Sequence, residues 1–185
     1  IRKGHLVLEA HFWPVGDRYR PHDMYSVTKS IVATLIGIAI DQGFIEAVHD
    51  RVFDYFPNTA ISNLTAAKQS ITIEDVLTMR SGLAWEELTY PYWHSSNTFG
   101  KMIRSPDLLE FVLNRPVSDN PGDIFNYSSG ASHLLSAILA EATGMSTYAF
   151  AKQYLFDPME IDVPVENWTR DPGDAEINTG GWGLK

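Results

Sequence analysis

The chain has 185 residues, enough for one domain with a real core or for two small lobes. Its formal net charge of −9 and pI near 5.0 repel phosphate backbones, which argues against nucleic acid as a partner. The absence of cysteine excludes a disulfide framework, a thiol nucleophile and a Cys-based metal site. The longest strongly apolar run, Ile31 to Ile40, is about half the roughly 20 residues a bilayer span requires, so no membrane span is predicted.

In chain order, residues 5–13 (His-Leu-Val-Leu-Glu-Ala-His-Phe-Trp) alternate partially and predict a strand, with Val15-Gly16-Asp17 as the turn after it. Val27 to Gln42 is apolar almost all round and closes on Gly43, which predicts a buried central helix with Gly43 at its C-terminal end. A series of short helices follows. Thr72 caps one that carries Glu74 and Asp75 in its first turn and stops at Gly82. Ser105-Pro106 reads as a cap and first-position proline opening Asp107 to Asn114.

Pro121-Gly122 marks a turn. Ser129 or Gly130 to Thr143 is amphipathic through Leu134, Leu135, Ile138 and Leu139, and ends at Gly144. Ser146 caps a last helix to Phe156, with Pro158 as its stop. Pro164 to Lys185 is loop-like, rich in Asp, Gly, Pro and Asn. The six histidines show no ligand spacing and read as surface or core residues, so neither a metal nor another cofactor is predicted.

The chemistry concentrates at Ser26-Val27-Thr28-Lys29, at the start of the first helix. Positions three apart share a helix face, which lets the Ser26 hydroxyl and the Lys29 amine approach each other. A cation in the first turn opposes the helix dipole, and the apolar run beyond it offers little water. Both effects favour a neutral amine able to take a proton from Ser26. The free N–H groups of the same helix start point at any oxyanion formed there. The alternative is that Ser26 is only an N-cap and Lys29 reaches solvent; a capping box, however, would place Glu or Gln at position 29.

Asn126-Tyr127-Ser128-Ser129 precedes another helix and can present the Tyr127 phenol to a cleft, where it could exchange a proton with Lys29. Trp85, Tyr90, Tyr92 and Trp93 serve either an apolar cleft or the core.

Taken in order, these segments resemble the superfamily of class C β-lactamases and D-alanyl-D-alanine carboxypeptidases, with its esterase and nylon-oligomer hydrolase branches. Met24-Tyr25-Ser26-Val27-Thr28-Lys29-Ser30 resembles the first motif, Ser-x-x-Lys. Asp41-Gln42-Gly43 and Val52-Phe53-Asp54-Tyr55-Phe56-Pro57 resemble the helix exit and the acidic loop after it. Ile73 to Leu83 resembles the segment ending in Ser-Gly-Leu, Pro121-Gly122 to Gly130 the approach to the second motif, Tyr-x-Asn, and Gly180-Gly181-Trp182-Gly183-Leu184 the glycine-rich loop bordering the active site.

The resemblance implies an α+β fold of the β-lactamase/transpeptidase type. Residues 1–50 would form the N-terminal part of the α/β lobe with the nucleophile helix, 51–170 a mostly helical lobe, and 171–185 a loop returning to the α/β lobe. It implies a serine hydrolase that acts through an acyl-enzyme on an ester, amide or peptide bond of a small-molecule or peptide substrate. Ser26 would be the nucleophile, Lys29 its base and Tyr127 the proton shuttle, with Ser129, Gly180 and Gly181 at the substrate. A binding or sensing module on the same fold, without catalysis, is the alternative.

Ser129 stands where the family has Asn, which tilts the reading from β-lactams toward ester, peptide or amide-oligomer substrates. The third motif, Lys or His followed by Ser or Thr and Gly on a later strand, is not in the chain; Arg80-Ser81-Gly82 mimics it but lies ahead of Tyr127. The resemblance therefore implies a partial chain lacking the C-terminal strands and helix, with half of the oxyanion hole outside it. Its exposed sheet edge would call for cover by a second chain or copy. The resemblance favours a periplasmic or secreted protein and leaves the cytoplasm open.

Overall fold

The computed structural model describes residues 1–12 and 20–185. The first helix, α1 (Val27–Asp41), ends through the left-handed closure that Gly43 predicts. Gly43 adopts φ +76°, its N–H donates to the Ile40 carbonyl (3.0 Å), and the Phe44 N–H donates to that of Ala39 (2.9 Å).

The six α-helices that follow each begin with a side chain accepting the third helical N–H, satisfying a group the helix itself leaves unpaired. Thr65 caps α2 (Ala66–Gln69), Thr72 caps α3 (Ile73–Leu77), Asn97 caps α4 (Thr98–Met102), Asp107 caps α5 (Leu108–Leu113), Ser128 caps α6 (Ser129–Thr143) and Ser146 caps α7 (Thr147–Ala151). A short 3₁₀ turn, Val52–Tyr55, lies between α1 and α2.

Three predicted boundaries move. At α5 the cap is Asp107, not Ser105: the Asp107 carboxylate takes the Glu110 N–H (2.7 Å) while the Ser105 hydroxyl donates to the Asp107 carbonyl (2.8 Å). An anionic acceptor is the stronger partner for an unpaired N–H, so it wins the position. Helix α3 stops well before Gly82, because Met79 itself turns left-handed (φ +59°) and the Arg80 N–H closes back on the Asp75 carbonyl (2.6 Å). Beyond α7 the chain continues through a π turn, Lys152–Phe156, into a 3₁₀ turn, Asp157–Met159, which holds Pro158.

The central helix is α6, not α1. Every residue from Ser129 to Leu139 is buried, and α1, α3, α5 and α7 pack around it. Small residues (Gly130, Ala131, Ala137) let neighbours approach closely, and its serines are satisfied internally. Helix α1 buries one face, through Thr28, Val32, Leu35, Ile36 and Ala39, while Val27 and Gly37 are exposed.

The predicted strand 5–13 is not realised in residues 5–12. The only pairing there is an isolated bridge between Arg2 and His5, and Leu6, Val7, Leu8 and Phe12 are exposed. Alternation makes a segment fit for a sheet, but a ladder needs a partner strand, and the described residues provide none. Residue 13 and the predicted turn at 15–17 lie outside the described residues.

The loop-like tail is folded back on itself by antiparallel bridges, Trp168 with Leu184 and Arg170 with Asn178. Buried Trp168 and Asn178 anchor it, the Asn178 amide donating to the Trp168 carbonyl (3.0 Å). The Met24 N–H donates to the Leu184 carbonyl (2.8 Å), tying the approach to α1 to this tail.

Candidate active site

Ser26 occupies the N-cap position of α1 but does not cap it. Its backbone is helical (φ −71°, ψ −7°) and its hydroxyl accepts no helix N–H, unlike the cap side chains of α2 to α7. Tyr25, just ahead of it, sits in the left-handed region (φ +45°), where a bulky side chain is strained. The turn aims the Ser26 Oγ at α6 instead of at its own helix. There it lies 2.6 Å from the Tyr127 hydroxyl and 3.2 Å from the Lys29 Nζ.

Tyr127 is placed by its neighbours. The Asn126 N–H donates to the Met79 carbonyl (2.7 Å), the Asn126 amide to that of Trp85 (2.9 Å), and Ser128 caps α6. The half-buried Lys29 points along the same face and lies over the Tyr127 ring, 4.8 Å from its centroid. Its amine also contacts the Ser129 Oγ (2.9 Å) and donates to the Gly181 carbonyl (2.7 Å).

The six residues singled out from the sequence therefore occupy different shells. Ser26, Lys29 and Tyr127 meet through the contacts above. Ser129 is buried behind the amine. Gly181 offers its carbonyl to Lys29, and a β-carbon there would lie 2.8 Å from the Ser129 carbonyl oxygen. Gly180 is buried against α6, where a β-carbon would come within 2.2 Å of the Ser132 carbonyl oxygen, which makes it a close-approach position.

Three residues escaped the sequence reading. Glu87 is buried, and its carboxylate accepts from the Trp85 indole (2.8 Å), the Ser129 N–H (2.8 Å) and the Ser129 hydroxyl (2.6 Å). A signal for it exists in the inward alternation of Leu83, Trp85 and Glu87, against half-buried Ala84 and Glu86. His133 and Asp171 form a fully buried pair, 2.8 Å apart. The His133 Nδ1 accepts from the Gly180 N–H (3.3 Å), which leaves the proton on Nε2 to donate to Asp171.

Burial by itself would raise the Asp171 carboxyl. Hydrogen bonds from His133, Gly173 and Leu108 outweigh it and hold the group below its ordinary value. The pair braces the glycine loop whose next carbonyl meets Lys29.

The aromatic cluster splits. Trp85 is core, while Tyr90 (stacked on His94) and Tyr92 line an open groove at residues 87–92 and Trp93 is exposed beside them in the chain. Among the described residues no group of His, Asp or Glu could hold a metal ion, and no helix is long and apolar enough to cross a membrane.

Comparison with known proteins identifies the family and the fold. The profile of the Beta-lactamase family matches residues 1–174. The chain belongs to the Beta-lactamase family. Beta-lactamase-like protein 4 of Dictyostelium discoideum is 25% identical over 153 residues, covering 77% of the chain and 26% of that protein. Among solved structures, a putative 6-aminohexanoate-dimer hydrolase from Bacillus anthracis superposes with a TM-score of 0.70 at 15% identity, covering 94% of the chain and 46% of its own.

A beta-lactamase/D-alanine carboxypeptidase from Yersinia pestis superposes with a TM-score of 0.59 at 19% identity, covering 90% of the chain and 52% of its own. These likenesses establish the β-lactamase/transpeptidase-like fold. The chain spans about half the length of those two structures and about a quarter of the curated relative.

Proposed function

We propose that this Beta-lactamase family member is an acyl-transfer serine hydrolase, with Ser26 as nucleophile, Lys29 as its base and Tyr127 as proton shuttle. The observation that carries the reading is a hydroxyl at a helix start that forgoes capping and sits within hydrogen-bond reach of both an amine and a phenol.

Donor counting supports the roles. The Ser129 hydroxyl has one proton, and it goes to Glu87, so Ser129 accepts from Lys29; the Gly181 carbonyl only accepts. Two N–H bonds of Lys29 are thereby committed to acceptors, and the remaining position of the amine lies 3.2 Å from the Ser26 Oγ; the proposed base role requires the lone pair there.

As the Ser26 Oγ bonds to the substrate carbonyl carbon, its proton passes to the Lys29 Nζ, and the carbonyl electron pair moves to oxygen. The Ser26 N–H, which has no partner among the described residues, is free to donate to that oxyanion. Collapse of the adduct expels an amine or alcohol, which takes a proton from the Tyr127 hydroxyl, itself resupplied by Lys29. Water then attacks the acyl-enzyme by the same route and regenerates Ser26. A positioned base of this kind contributes about 10²- to 10⁴-fold.

Ester, amide and peptide bonds fit this chemistry, and the buried Ser129 disfavours a contact from its side chain to substrate. The test is treatment of the full-length protein with a fluorophosphonate, followed by intact mass and peptide mapping. One adduct on Ser26, lost in Ser26→Ala, is expected; an unlabelled protein, or labelling that survives Ser26→Ala, contradicts the reading.

A further inference from the structure

Among the described residues Lys29 touches no carboxylate, yet a buried one stands a single hydroxyl away. The Glu87 Oε2 accepts from the Trp85 Nε1–H and the Ser129 N–H, and its Oε1 accepts from the Ser129 Oγ–H, which in turn meets the Lys29 Nζ at 2.9 Å. All three bonds run toward Glu87, so the site calls on the carboxyl only as an acceptor, which suits the anion. Among the described residues no Lys, Arg or His pairs with it directly. The other titratable group against the amine is Tyr127, under its ring contact.

We propose that Glu87 is a positioning residue for the Lys29 base. Through Ser129 it orients the amine so that the lone pair faces Ser26, and it supplies the counter-charge for the ammonium formed when Lys29 takes the Ser26 proton. Its role parallels that of a buried carboxylate behind a catalytic imidazole, with an amine in place of the ring and a hydroxyl as the link. The inference rests on the acyl-transfer reading of Ser26 and adds to it the group that sets the base's direction and charge.

Glu87→Gln reverses one bond while preserving shape. With two donors on its Oε2 side, the amide oxygen must stay there, and the NH₂ then faces the Ser129 Oγ. Ser129 accepts from that amide and turns its own proton to Lys29, which draws the lone pair away from Ser26. Two results follow. The maximal rate falls, and loss of the negative charge makes the amine give up its proton more readily.

In the full-length protein, the second-order rate of fluorophosphonate labelling is measured against pH for wild type, Glu87→Gln and Ser129→Ala. In parallel, the Lys29 side chain is titrated by ¹³C NMR, with Lys29→Arg for assignment. Expected for Glu87→Gln are a rate lower by at least about 100-fold at an unchanged Tm, and a Lys29 midpoint lower by about one pH unit. Should Glu87→Gln fail to fold, Ser129→Ala, which removes the link, is expected to lower both quantities in the same sense.

A reduced rate with an unmoved Lys29 midpoint would make Glu87 merely structural and overturn the proposal, as would an unchanged rate. An unlabelled wild type would sink the acyl-transfer reading, and the Lys29 titration alone would then decide whether Glu87 is coupled to that amine.

Discussion

Lys68 is a buried cation without a counter-ion among the described residues, and its behaviour with pH is calculable. Its side chain is 0% exposed. The amine donates to the Ser62 carbonyl (3.1 Å) and to that of Leu113, and it lies over the Phe53 ring, 5.3 Å from the centroid. Burial, helped by the Arg115 charge, lowers it from 10.5 to about 8.

The folded state therefore releases this proton near pH 8, while the unfolded chain keeps it to about 10.5. Between those values the unfolded state binds more protons, so stability rises with pH. Integrated from pH 7 to pH 9.5, the gain is about 2 kcal/mol, most of it above pH 8. Lys68→Met keeps the chain's apolar bulk and removes the titration.

The assay is urea unfolding of both proteins at half-unit pH steps over that range. The difference between wild type and variant is expected to grow by about 2 kcal/mol in favour of wild type, whatever its offset at pH 7. A difference independent of pH would refute the reasoning. Tyr55 does not enter, because its hydrogen-bonded, part-buried phenol is raised above its ordinary value and stays protonated throughout the range.

Two further outcomes follow from packing. Thr28 is fully buried and its Oγ1 has no hydrogen-bond partner among the described residues, so Thr28→Val is expected to stabilise by about 1 kcal/mol, read as a higher urea midpoint; a loss of stability would contradict this. Gly130 leaves no room for a β-carbon, which would lie 2.4 Å from the Trp85 ring. Gly130→Ala is therefore expected to destabilise by about 2 kcal/mol and to slow Ser26 labelling by displacing the indole that holds Glu87; unchanged stability and labelling would contradict that packing.

Local chemistry was the legible part of the chain. Caps at Thr72 and Ser146, and the Gly43 and Gly144 closures, depend on a few adjacent residues whose hydrogen-bonding options are narrow. The Ser26–Lys29 approach is a consequence of helical spacing, and it too was visible. Depth was not. Helix α6 carries Ser129, Ser132, His133 and Ser136, which imitate a solvent face, yet Ser132 bonds the Ser128 carbonyl one turn back and the other three find buried partners in distant segments, Glu87, Asp171 and Asn178.

Glu87 was hidden for the same reason. Two adjacent glutamates look alike until Trp85 and Ser129, the latter 42 positions away, single out one of them. The strand at 5–12 failed in the opposite direction, because alternation describes a face and says nothing of whether a neighbour is there to pair with it.

The central claim is that the Lys29 amine activates the Ser26 hydroxyl. Its most direct test is the rate of fluorophosphonate labelling at Ser26 in the full-length protein carrying Lys29→Met, beside wild type. A fall of about 10²-fold or more, with the fold intact by circular dichroism, is predicted. A Lys29→Met protein that labels as fast as wild type would contradict the account.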